Sequence, residues 1–212
     1  VVKAVDLVLG GTVGNAFAAI RPPGHHAERE TPMGFCLFGN IAIGAKHALD
    51  HHGLKRVAVV DFDVHHGNGT QDLLQDDPRV LFISSHEMPL YPGTGDPSDT
   101  GEHDNVINIA LKAGTRSKEF REIYEAQVFP RLRAFKPDVI LVSAGFDAHR
   151  ADPLANICLE TADFAWVTGR ICDIADQVCE GRVVSALEGG YDLEALADSA
   201  AAHVKTLQER AA

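Results

Sequence analysis

Short β-branched apolar runs alternate with longer segments of helical periodicity along most of this chain. Residues 56–61, 80–84, 106–110 and 139–143 and Val183–Leu187 are too short for helices and are bounded by turn residues, so they read as buried parallel strands. Residues 16–20 form a further short strand. Between them, residues 41–51 carry an apolar stripe through Ile41, Ala45 and Leu49, with Asn40 placed to cap the helix and Gly53 to end it. A short helix starts at residues 70–74. Ser117 is placed to cap a helix over 117–134 with Phe120, Ile123, Tyr124, Val128 and Leu132 inward, and 161–179 repeats the pattern through Phe164, Val167, Ile171, Ile174 and Val178. Strands alternating with helices and joined by right-handed crossovers predict an α/β fold: three α/β/α layers around a central parallel sheet, one domain over 1–212.

The polar residues that interrupt this pattern gather where strands end. Asp61-Phe-Asp63-Val-His65-His66-Gly67-Asn68-Gly69 follows the 56–61 run, Asp147-Ala-His149 follows 139–143, and Glu188-Gly-Gly-Tyr191 follows Val183–Leu187. Arg21-Pro-Pro-Gly-His25-His26 follows the first strand on a loop that two prolines constrain. In open α/β sheets the functional crevice lies beyond the carboxyl ends of the strands, so all four clusters are expected on one edge. Alternation puts Asp61, Asp63 and His65 on one side of the strand tip and turns His66 away.

Composition narrows the setting. The 212 residues are 45% hydrophobic and 23% charged, enough for one substantial core. A net charge of -11, with no block of Lys or Arg, lacks the footprint of nucleic-acid binding. No apolar run reaches the length of a membrane span and no signal peptide stands at the start, so a soluble cytoplasmic protein is expected. Cys36, Cys158, Cys172 and Cys179 form no C-x-x-C pair, and disulfides are not expected. The opening residues, Val1 to Gly11, read as the end of a helix already under way, which places the start of the sequence inside a domain.

Two carboxylates and an imidazole suit a divalent ion of borderline softness. Asp63, His65 and Asp147 are the candidate ligands, and Zn2+ is the natural ion, with positions left for water and substrate. Taken alone, a D-x-H triplet reads better as a turn cap and a His pair as loop histidines; four polar strand ends together favour a site. His25 and His26 then supply a base for water and an acid for a leaving amine. Asp61 and Asn68 are placed to orient those imidazoles. Tyr191 is a candidate for stabilising an oxyanion, and Phe35 and Tyr91 either pack in the core or line a narrow apolar slot.

Pro23-Gly24-His25-His26-Ala27, Gly34-Phe35-Cys36, Asp61 through Gln71, Tyr91-Pro-Gly-Thr-Gly95, Ser143 through His149 and Glu188 through Tyr191 occur in an order that resembles the zinc-dependent histone deacetylase family, closest to its class II and bacterial members. The resemblance implies an arginase/deacetylase-like α/β fold, with zinc on Asp63, His65 and Asp147. It implies that His26, partnered by Asn68, is the general acid/base, that His25, paired with Asp61, acts electrostatically, and that Tyr191 polarises the amide carbonyl. It further implies a structural K+ near Asp61, Asp63, His65 and Ser84, held largely through backbone oxygens.

Departures from relatives sharpen the substrate class. Arginases hold two metals, but Gly67 and His149 stand where further acidic ligands would be needed. Polyamine-selective relatives carry a glutamate after the Asp-Pro that follows the third ligand; here Asp152-Pro153 is followed by Leu154, a channel residue. Acyl-lysine in proteins or peptides is the leading substrate class. Small acylated amines such as acetylpolyamines, or a non-catalytic acyl-lysine or metal-binding module, are the alternatives, and an oligomer stays open. Family members have a longer N-terminal portion with a first strand and an acidic rim residue. The expected fold lacks that portion, and its exposed sheet edge is expected to limit solubility or to need a covering partner.

Overall fold

Strand residues alternate between two separate apolar layers, and this sets the architecture. The computed structural model describes residues 1–211. Strands β1 (Asn15–Ala18), β2 (Val57–Asp61), β3 (Val80–Glu87), β4 (Val106–Leu111), β5 (Val139–Ala144) and β6 (Val183–Leu187) form one parallel sheet in the order β1-β6-β5-β2-β3-β4. Ala58, Val60, Leu81, Ile83, Ile140 and Val142 face one layer, while Val57, Val59, Val80, Phe82, Val139 and Leu141 face the other. Parallel strands need cover on both faces, and helices supply it. Helices α1 (Val2–Leu9), α2 (Asn40–Asp50) and α3 (Asn68–Leu74) contribute Val5, Ile41 and Leu74 to the second layer. Helices α4 (Ser117–Ile123), α5 (Phe129–Phe135), α6 (Thr161–Val178) and α7 (Leu193–Glu209) contribute Phe120, Leu132, Phe164 and Leu207 to the first.

The sheet order places a crevice. From β2 the chain winds outward through β3 to β4, then returns to β5 on the other flank of β2 and continues to β6. The two flanks part between β2 and β5, and the loops after those strands open over that switch point.

Local structure corrects several expectations. Asn40 is the first helical residue rather than a cap; its amide donates to Pro22 O at 3.2 Å, tying α2 to the His25 loop. Ser117 likewise begins α4 and gives its hydroxyl to Asp163 at 2.7 Å, leaving Arg116 to precede the helix. The expected single helix over 117–134 widens into a π turn at Tyr124–Val128 before α5. Pro130 removes a backbone donor there, and a wider turn accommodates that loss. β3 runs on to Glu87 because the polar residues Ser85, His86 and Glu87 are buried and paired, with Ser85 Oγ 2.7 Å from the Tyr124 hydroxyl. The strand over 16–20 is shorter and sits at Asn15–Ala18. All four cysteines are free thiols.

Helix α7 has no strong apolar stripe in the sequence, because its inward face includes Ser199 and His203. His203 is buried between α6 and β6. Thr168 gives its own hydroxyl proton to Phe164 O, so it accepts from His203 Nδ1–H at 2.7 Å, and Ser185 Oγ donates to Nε2 at 2.7 Å. Burial pushes the His203 imidazole down to about 3. Between that value and the ordinary 6.5, the unfolded chain binds a proton that the folded chain refuses, so stability falls on acidification through this window by up to about 1.4 kcal/mol per pH unit. His203→Gln is therefore expected to flatten the acid limb of the stability curve by one proton's worth, measured by urea unfolding at a series of pH values. An unchanged slope would show that His203 does not couple folding to pH.

Candidate active site

Each polar cluster follows a strand, and backbone geometry then aims it. β2 ends at Asp61, so Asp63 and His65 lie on the following loop rather than on the strand itself, which corrects the alternation argument. Successive turns sort the side chains instead: Asp63 N–H donates to Asp61 Oδ1 at 3.1 Å and His65 N–H to Asp63 Oδ1 at 2.9 Å. Asp147 reaches across from the end of β5, where its Oδ1 accepts Val64 N–H at 2.9 Å. Asp63 Oδ2 accepts Gly189 N–H from the loop after β6 at 2.7 Å. Backbone amides thus hold Asp147 at one oxygen and Asp63 at both.

Asp63 Oδ1 and Asp147 Oδ2 converge on one imidazole nitrogen. His65 Nδ1 lies 3.1 Å from Asp63 Oδ1 and 3.0 Å from Asp147 Oδ2, and the three groups form a buried donor set. Ligands around a tetrahedral ion with bonds of about 2.0–2.1 Å stand about 3.3 Å apart, so the set fits Zn2+ with little movement. The charges agree. Burial and the Asp63 carboxylate push Asp147 up to about 7; burial also opposes ionisation of Asp63, but His25 and His65 outweigh it and hold Asp63 well below the usual range. Burial lowers the affinity of His65 for a proton, yet its contacts with Asp147 and Asp63 raise it to about 10. Two buried carboxylates competing for one positive partner form a site that a divalent cation satisfies.

Two more imidazoles flank this set. His25 Nδ1 is 2.9 Å from Asp61 Oδ2 and its Nε2 is 3.7 Å from Asp63 Oδ1. Burial opposes its charge, but Asp63 and Asp61 prevail and raise it well above 6.5. His26 is different. Asn68 Nδ2 donates to Glu28 Oε1 at 2.6 Å, which fixes the amide so that Asn68 Oδ1 accepts from His26 Nδ1–H at 2.7 Å. The lone pair of neutral His26 is therefore on Nε2. Burial, with His25 beside it, pushes His26 down to about 3, so it is neutral at ordinary pH.

Above these groups opens a cavity of about 420 Å³ lined by His26, His65, Tyr191 and the apolar Phe35, Leu90, Tyr91 and Leu154. Phe35 is 68% exposed at the rim, and Tyr91 sets its ring edge-on to His26 with centroids 5.1 Å apart. Tyr191 packs 6.0 Å from Phe35. Burial and the charges of Asp63 and Asp147 raise its phenol, so the hydroxyl keeps its proton. His66 stands apart, bound to Thr94 and Gln71 at 2.8 and 2.9 Å. Ser84 pairs with Asp61 in the β2–β3 register and its hydroxyl is 3.0 Å from His86 Nδ1.

Three residues around the site carried no role in the sequence reading. Glu188 is fully buried, and its Oε2 accepts Gly24 N–H and His25 N–H at 2.7 and 3.1 Å, clamping the histidine loop to β6. Its signal was a carboxylate directly after an apolar strand. Asp152 Oδ2 accepts Tyr191 N–H at 2.7 Å and so sets that residue's backbone. Leu90 lines the cavity but has no distinguishing pattern.

A three-layer parallel sheet whose polar loops meet over the switch point defines an α/β protein of deacetylase architecture, and the comparisons agree. The family pattern described as Histone deacetylase domain matches residues 1–207. The chain is 50% identical over 194 residues to "Histone deacetylase 14, chloroplastic" of Arabidopsis thaliana, covering 90% of this chain and 46% of that protein. It is 43% identical over 196 residues to "Probable deacetylase" of Archaeoglobus fulgidus, covering 91% and 54%. Among solved structures, the HDA15 HD domain superposes with a TM-score of 0.90 at 38% identity, over 97% of this chain and 59% of that one. The chain belongs to the histone deacetylase family. It spans about half the length of these relatives. No helix among the described residues is long and apolar enough to cross a membrane.

Proposed function

We propose that the chain is a zinc-dependent amidohydrolase that removes acetyl or other short acyl groups from the ε-amino group of lysine in proteins or peptides. The observation that supports it most is the convergence of Asp63, His65 and Asp147 at the foot of an apolar-walled cavity that His26 also lines. When bound to those three residues, Zn2+ supplies Lewis-acid polarisation of the acyl carbonyl and acidifies water. The side chains do the rest. His26 Nε2 takes the proton of the attacking water as the oxygen–carbon bond forms, and returns it to the departing nitrogen as the carbon–nitrogen bond breaks, giving a carboxylate and lysine. Asn68 keeps the required tautomer. Tyr191 donates its hydroxyl to the developing oxyanion, and His25 with Asp61 contributes fixed charge. A K+ near Asp61, Asp63, His65 and Ser84 belongs to the same reading as a structural ion.

The apolar wall favours a lysine side chain over a polyamine, whose second charge would meet Leu154 rather than a carboxylate. Purified protein is expected to release acetate from an acetyl-lysine peptide faster than from acetylspermidine, to lose that activity on chelation and regain it with Zn2+, and to be inactive as Asp147→Ala. Faster hydrolysis of acetylspermidine would move the substrate class. Full activity in Asp147→Ala would sink the mechanism.

A further inference from the structure

A second group of side chains of metal-ligating type lies away from the cavity. Asp6 of α1 meets His47 of α2 and His51 and His52 just beyond its end, and one ligand atom from each of the four lies within 4.8 Å of the others. His47 Nε2 is 2.7 Å and His52 Nε2 2.9 Å from the same Asp6 Oδ1. His47 and His51 are one helical turn apart and their rings stack with centroids 4.7 Å apart, while His52 stands edge-on to both. We propose that Asp6, His47, His51 and His52 form a second site for a divalent ion of borderline softness, Zn2+ in the first instance, independent of the deacetylase reading.

Hydrogen bonding alone leaves this cluster over-supplied. A single carboxylate oxygen serves two imidazoles, and each neutral ring of the three also holds a lone pair. A His3Asp set is a complete tetrahedral shell for zinc, and a histidine pair at i and i+4 presents both rings on one helix face. Adjacent ligands of such a shell stand about 3.3 Å apart, close to the His–Asp spacings present, and the exposed His51 already keeps a ring nitrogen within 4.8 Å of the other ligand atoms. Four protein ligands leave no open position, which points to a structural ion rather than a catalytic one. The site also has a mechanical consequence: it would fasten α1 to the end of α2. The N-terminal end of α2 touches the His25 loop through Asn40, and the 11-residue helix is roughly 16 Å long, so the cluster sits at the opposite edge of the sheet from the cavity.

The test counts ions on untagged protein stripped with chelator and titrated with Zn2+ by calorimetry, with elemental analysis after gel filtration. Asp147→Asn, which disables the candidate active-site ligand set, is expected to retain one tightly bound ion, and adding Zn2+ is expected to raise its melting temperature. Co2+ in place of Zn2+ is expected to give the intense visible bands of a tetrahedral site. His47→Ala/His51→Ala in that background is expected to lose the ion, the bands and the thermal shift. His51→Ala alone changes an exposed ring and is expected to fold normally but to bind more weakly by about tenfold or more, the scale on which even outer-shell partners act. Failure of Asp147→Asn to bind an ion, or binding unaffected by the histidine substitutions, would overturn the site. Neither outcome depends on whether the protein hydrolyses amides.

Discussion

Tyr191→Phe is expected to lower kcat for acetyl-lysine hydrolysis by about 10²–10³-fold, the scale of removing one preorganised oxyanion donor. The reason lies in where the phenol sits. Burial and the charges of Asp63 and Asp147 keep its proton in place, so the hydroxyl can donate but not ionise at any working pH. Its neighbours locate it independently of that proton: Asp152 holds the backbone N–H and Phe35 packs against the ring. Phenylalanine preserves both contacts. KM, zinc content and melting temperature are accordingly expected to stay near wild type while kcat falls, a split that identifies a transition-state contact rather than a structural one. An unchanged kcat would remove Tyr191 from the mechanism.

The second large effect is expected from a single methyl group. Gly189 passes so close to the two carboxylates that a Cβ there would run into Asp147 Oδ2 and stand 2.6 Å from Asp63 Oδ2 and 2.7 Å from Asp147 Cγ. Neither side can yield easily. The Gly189 N–H is bound to Asp63, Val64 N–H holds Asp147, and both aspartates are fully buried. Gly189→Ala is expected to spread the carboxylates, to abolish the proposed chelator-sensitive activity and Zn2+ binding at Asp63, His65 and Asp147, and to cost about 1–3 kcal/mol in stability from overpacking. Gly169→Ala is the control, because the only contact there would be an ordinary 3.7 Å to Thr206 in the middle of α6 and α7 packing. It is expected to leave activity intact. Normal metal content in Gly189→Ala would show that the loop after β6 does not shape the donor set.

Much of this protein was legible from pattern alone. Parallel strands buried on both faces must be continuous apolar runs, so β2, β5 and β6 announce themselves, and polar residues directly after such runs can only lie at the sheet's carboxyl edge. That is why Asp63, Asp147 and Tyr191 were visible as a group although 128 residues separate the first from the last. The order of motifs carried the family. Local chemistry was less legible where polar groups are satisfied by distant partners: Ser117 and Asn40 look like helix caps but bond elsewhere, α7 hides its inward face behind Ser199 and His203, and Glu188 reads as a loop carboxylate until its two amide partners appear.

The layered α/β architecture, the edge on which the polar clusters meet and the family therefore follow from the order and spacing of residues along the chain. Those depend on periodicity and on chemistry local to each strand end. Three features came only from how separate elements are placed: which nitrogen of His26 carries the lone pair, which oxygen of each aspartate faces His65, and the meeting of Asp6 with three histidines more than forty residues away. Hydrogen-bond direction and donor convergence are fixed by the relative placement of separate elements, and no spacing along a chain encodes them.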